Sequence, residues 1–178
     1  MIPPLRRALT VPLEPLLAFD LFVRRLPEWW PLSTRSVWLE AAVACRVDPR
    51  EGGRIVEEGP DGAEEHWGTI RRMNEPSDVL LDWHPGLTPE HSTEVEVWFK
   101  PQPGGTELTL EHRHWERLGA RGDFVRSLYE NGWGPVLARF AARATEQQVL
   151  PPAEGPGCIG AEPPPGWAAA RLSSQPAD

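Results

Sequence analysis

Two histidines separated by one residue, His112 and His114, close the run Leu108-Thr-Leu-Glu-His-Arg-His-Trp115 and are the best candidates for chemistry in this chain. On an extended strand, residues two apart project to the same side with Cα atoms about 7 Å apart. The pair therefore reads as one inward-facing group. His-x-His can begin a metal site, but zinc wants three or four ligands, and His66, His84, His91 and Cys45 stand at no spacing that completes a set; the reading is no metal and no cofactor. A neutral imidazole can instead be a satisfied structural group, orient a ligand oxygen, or move a proton as general acid or base. Residue type alone leaves these three open, with His112 the acid/base candidate if the protein is an enzyme.

Other reactive types have weaker settings. Ser33, Ser36 and Ser77 lack a Gly-x-Ser-x-Gly context, and Cys45 has no base nearby in sequence, so covalent catalysis has no support. Glu94 and Glu96 alternate with Val95 and Val97, which places the carboxylates on a solvated face rather than in an acid/base pair. Gly52-Gly53 and Gly104-Gly105 lack the spacing of phosphate cradles and read as turn residues.

Composition narrows the function classes. The chain has 178 residues and a net charge of −8, and its cationic residues are scattered arginines with Lys100 the one lysine. Nucleic-acid binding would call for clustered cations. The start, Met1-Ile-Pro-Pro-Leu-Arg-Arg, lacks the apolar core of a signal peptide, and no run approaches the roughly 20 apolar residues of a membrane span. Cys45 and Cys158 would make an odd disulfide between a core strand and a Pro/Gly-rich tail. The expectation is a cytoplasmic protein without membrane or nucleic-acid partners.

The elements that must position these groups follow in order. Residues 5–11 form a first strand ended by Pro12, and 14–25 carry a helical pattern broken by Pro27 and Pro31 around Trp29-Trp30. Residues 37–47 alternate Leu39, Ala41, Val43, Cys45 and Val47 and read as a strand, followed by returns at 54–58, 66–73, 79–84, 93–101 and 108–115. Turn signals at Asp48–Gly53, Pro60-Asp-Gly62, Asn74–Ser77 and Gln102–Gly105 separate them. Phe124, Val125, Leu128, Tyr129, Trp133, Val136, Leu137, Phe140 and Ala144 then recur as the stripe of a long helix to about 149, with Gly132, Gly134 and Pro135 expected to weaken or kink it. The domain is 1–149, and 150–178 reads as a disordered tail in which Trp167 is a stray apolar residue.

Ala18-Phe19-x-Leu21-Phe22, Trp29-Trp30-Pro31, Asp48-Pro49-x-x-Gly52-Gly53-Arg54, Gly68-Thr69-Ile70, Trp83-His84-Pro85-Gly86, Gly105-Thr106-x-Leu108-Thr109-Leu110-x-His112 and Gly132-Trp133-x-x-x-Leu137 occur here in that order. In this order they resemble the heat-shock-protein-90 ATPase activator homologues of the START-like, or SRPBCC, superfamily. The resemblance implies an α+β helix-grip fold: a curved antiparallel sheet of six to seven strands wrapped around the long helix, with two short helices after the first strand. It also implies an apolar cavity between sheet and helix. Trp30, Trp83 and Trp133 fall where that cavity would have its walls, and Val43, Val97, Phe99, Leu110, His112, His114, Leu137 and Phe140 complete the candidate lining. The family's small residue after the histidine is replaced here by Arg113-His114, which would polarise the mouth. Three functions remain: binding of a hydrophobic small molecule, more in keeping with the residues than catalysis; a cyclase- or hydrolase-like reaction through His112; or a surface module assisting a chaperone. A homodimer is a further expected partner arrangement.

Overall fold

A computed structural model describes residues 2–149. It contains β1 (Leu5–Val11), α1 (Pro15–Val23), β2 (Ala44–Val47), β3 (Arg54–Glu58), β4 (Glu64–Asn74), β5 (Asp78–Trp83), β6 (Thr93–Gln102), β7 (Gly105–Arg113) and α2 (Gly122–Val149). The strands form one antiparallel sheet in the order β1-β7-β6-β5-β4-β3-β2. Register shifts at Ile55/Val56 and Ile70/Arg72 mark bulges that increase the curl. The sheet closes partway around α2, as a helix-grip does. The disordered tail expected over 150–178, with Trp167, lies outside the described residues.

Two glycines are dictated by close approach. A Cβ on Gly68 would stand 2.0 Å from the Asp82 carbonyl oxygen, and one on Gly53 2.0 Å from that of Asp48. Only glycine lets β4 lie against β5 there, and lets the β2–β3 turn fold back on itself.

One end of the groove is packed solid. Phe19 and Phe22 of α1 meet Phe99 of β6 at ring-centroid distances of 5.3 and 5.7 Å, and Phe22, Trp29 and Phe140 of α2 close on one another at 5.1 to 5.3 Å. The Trp29 indole donates to the Leu21 carbonyl at 2.9 Å, so even this polar atom is satisfied. From Trp133 onward the stripe of α2 is buried: Trp133, Val136, Leu137, Phe140 and Ala144 all face the core. The helix runs unbroken through Pro135. Earlier in α2, Phe124 and Leu128 are exposed, so the stripe leaves the core at that end.

Three local expectations change. The strand expected over 37–47 shortens to Ala44–Val47, because Leu39–Ala41 forms a 3-10 turn and Leu39 takes a positive φ of 52°. A carboxylate supplies what sheet pairing would have supplied. Glu57, fully buried on β3, accepts the Val37 and Trp38 backbone amides at 2.8 and 3.0 Å and the Trp67 indole at 2.7 Å. His114 does not continue the inward series of β7: the strand ends at Arg113, and His114 adopts a left-handed conformation with φ 67°. Its ring turns to Glu94 and Glu116 at 3.3 and 3.1 Å. Finally, Glu94 and Glu96 occupy the outer face as expected but are only 9% and 7% exposed. Arg72 of β4, Arg113 of β7 and Arg117 of the turn after β7 reach over them and cover them. The Glu94 carboxyl sits below its ordinary range: burial opposes this, and the Arg117 hydrogen bond with the charges of His114, Arg117 and Arg113 outweighs it.

Candidate ligand cavity

Where the stripe of α2 leaves the core, sheet and helix separate and enclose a cavity of about 460 Å³. Its floor is Trp83 from the end of β5 with Trp133 and Val136 from α2; its mouth is framed by exposed Thr34, Arg35, Val37, Leu128 and Arg121. Trp30 joins the walls, its ring 5.6 Å from that of Trp83 and 6.0 Å from that of Trp133. Tyr129 completes them on the helix side.

Every indole N–H of these walls is used inside the protein. Trp30 donates to the Arg35 carbonyl at 2.6 Å, Trp83 to the Tyr129 hydroxyl at 3.1 Å and Trp133 to His112 Nδ1 at 3.1 Å. The tryptophans therefore offer a ligand ring faces and edges rather than donors. Tyr129 differs, because its oxygen accepts from Trp83 and its own proton has no acceptor among the described residues. Burial pushes the phenol up to about 12, so it stays a neutral donor.

The same network fixes the state of His112. Nδ1 accepts the Trp133 proton, so the ring proton must sit on Nε2, 2.7 Å from Thr93 Oγ1. Thr93 passes its own proton to the Trp83 carbonyl at 2.8 Å. Complete burial holds the imidazole well below its usual pKa, in agreement with a neutral ring whose two nitrogens are both occupied. Packed against a tilted Trp115 ring at 4.0 Å and edge-on to Tyr129 at 4.6 Å, His112 is a buttress behind the wall and not part of its surface.

Of the residues singled out from sequence, the structure brings Trp30, Trp83 and Trp133 together on the cavity. Val97, Phe99, Leu110, Leu137 and Phe140 are inward-facing but lie in the packed core, because the α1 aromatics and Trp29 fill that half of the groove. Val43 is 68% exposed, since its segment is not in the sheet. His112 stands one residue layer behind the cavity, and His114 is on the outer side. Sequence reasoning missed Tyr129, Arg35, Arg121 and Glu57. Tyr129 is the chain's single tyrosine and lay in the helical stripe, a signal that was available. The two arginines carry no periodic signature, and Glu57 sits in a short charged strand that gives no sign of burial.

A family model described as Activator of Hsp90 ATPase homolog 1-like protein matches residues 23–145. No curated protein matches the chain. Among solved structures, CalC from Micromonospora echinospora, described as a self-sacrificing resistance protein, is 29% identical with a TM-score of 0.63, covering 82% of this chain and 96% of its own. Txn09, described as an anthrahydroquino-Gama-pyrone synthase, is 28% identical with a TM-score of 0.58, covering 79% of this chain and 96% of its own. Protein NE0264 from Nitrosomonas europaea, 17% identical with a TM-score of 0.59 over 83% of this chain and 97% of its own, is alike in fold alone.

Proposed function

Because the chain belongs to the family described as Activator of Hsp90 ATPase homolog 1-like protein, we propose that it binds a hydrophobic small molecule, with a planar aromatic body, in the cavity between sheet and α2. One observation carries the reading: the walls are four aromatic side chains, Trp30, Trp83, Tyr129 and Trp133, whose three indole donors are internally satisfied. Such walls favour a ring system by stacking and edge contacts while costing a ligand no buried polar mismatch. A ligand of fused rings is also in keeping with the likeness to a protein described as an anthrahydroquino-Gama-pyrone synthase.

Binding is preferred here to proton transfer by His112. The imidazole has both nitrogens engaged and lies behind Trp133, so a cavity ligand would meet the indole first. No helix among the described residues is long and apolar enough to cross a membrane. A cytoplasmic setting accords with the reading. The test is a titration of tryptophan fluorescence with 2-(hydroxymethyl)anthraquinone, a neutral planar probe. Saturable quenching at one site per chain is expected; linear, non-saturating quenching would overturn the proposal.

A further inference from the structure

We propose that the ligand is an acid, its anionic group held at the cavity mouth by Arg35 and Arg121. The inference rests on the binding function above and names the ligand's chemical class. The chain has 26 acidic and 18 basic residues, so a guanidinium finds carboxylates easily. Eleven of its arginines do form ion pairs. Among the described residues Arg7, Arg35, Arg54, Arg121 and Arg139 form none, and of these five Arg35 and Arg121 line the cavity. No aspartate or glutamate lines it with them. An acidic protein has thus placed two uncompensated cations, and no anion, around an aromatic pocket.

Arg35 is held in place from inside. Its carbonyl accepts the Trp30 indole of the cavity wall, and the following residues Val37 and Trp38 are pinned to the buried Glu57. Arg121 immediately precedes Gly122, whose missing Cβ would stand 2.5 Å from the Trp115 carbonyl oxygen, so the entry to α2 is fixed as well. Arg121 also borders a smaller adjoining pocket of about 100 Å³ with Leu87, His91, Leu118 and Val125. Guanidinium groups suit a carboxylate because their paired N–H donors match its two oxygens. Thr34 and Ser36 add hydroxyls at the mouth, and deeper in, the Tyr129 proton can meet a ring carbonyl. The site matches a planar ring acid with its acceptor oxygen inward and its carboxylate outward.

The experiment compares anthraquinone-2-carboxylate with the neutral 2-(hydroxymethyl)anthraquinone on the wild type and on the Arg35→Gln/Arg121→Gln double variant. In the wild type the acid should bind at least about tenfold more tightly, an advantage that shrinks as salt rises. In the double variant the ratio of the two affinities should fall to near one; being a ratio, it does not depend on the fraction folded. Equal affinities in the wild type, or an undiminished ratio in the double variant, would overturn the acid assignment while leaving a neutral aromatic site intact. Binding of neither probe would instead overturn the binding function, and this inference with it.

Discussion

Gly132 lies on the cavity wall in the middle of α2, and a Cβ built there meets nothing within 4 Å. Gly132→Leu therefore puts an isobutyl group into the cavity without a backbone clash. Leucine is preferred over glycine inside a helix by about 0.7 kcal/mol, through the entropy glycine loses on folding. Partial cover of the new side chain by Trp83 and Trp133 adds to this, so the variant should be more stable by about 0.5 to 1.5 kcal/mol. For a domain of this size that is a rise in Tm of about 2 to 5 °C. The same group occupies the ligand's place, and forcing the two together costs about 1 to 3 kcal/mol, or about 5- to 150-fold in Kd. Thermal unfolding by circular dichroism and fluorescence titration with 2-(hydroxymethyl)anthraquinone read the two effects separately. A fall in Tm would mean the space beside Gly132 is not open; a raised Tm with unchanged affinity would place the ligand elsewhere.

The other expectations concern the frame around the cavity. His112→Phe strands the Trp133 indole proton in the core and should lower stability by about 1 to 3 kcal/mol in urea unfolding, whereas His112→Gln, which keeps an acceptor and a donor, should lose less; equal losses would remove the hydrogen-bonding role. Glu57→Gln leaves one oxygen for three donors and should cost about 1 to 3 kcal/mol and weaken probe binding by loosening the Val37–Trp38 segment, so unchanged stability and affinity would contradict the anchoring. Burial keeps the folded His112 ring neutral while the unfolded ring takes a proton near 6.5, so the unfolded chain binds more protons as pH drops. The stability tied to His112 is thus complete above about pH 6.5 and is lost as pH falls below it, and His66, lowered chiefly by burial, acts in the same direction. Urea midpoints should fall between about pH 7 and pH 5, less steeply in His112→Gln; parallel slopes would exclude His112. Loss tied to Glu28, which Arg25 holds down at about 2, belongs to lower pH, below its ordinary 4.5.

Much of this frame was legible in the residues, and the gaps have physical causes. The alternation of Val95, Val97 and Phe99 and the stripe through Trp133, Val136 and Phe140 gave β6 and α2 because each element buries one face. The same rule misled at 37–43, where alternating apolar residues looked like a strand but the amides go to a carboxylate twenty residues away, which no local pattern reveals. It also placed Leu110, Leu137 and Phe140 on a cavity they do face in direction, without showing that α1 fills that half first. The three tryptophans were found as a set, but the use of their N–H groups was not, since the Trp83–Tyr129 and Trp133–His112 partnerships join residues far apart in sequence. Covering of Glu94 and Glu96 by arginines from β4 and β7 is likewise invisible along one strand.

The central claim is a position: a planar ligand in the cavity, lying against Trp83 and Trp133 and beside Tyr129. A crystal structure of the protein grown with 2-(hydroxymethyl)anthraquinone tests it most directly. The account predicts electron density for the ring system against these side chains, with a ring carbonyl within hydrogen-bond distance of the Tyr129 hydroxyl. Density for the probe at another surface, with the space beside Gly132 holding only water, would contradict it.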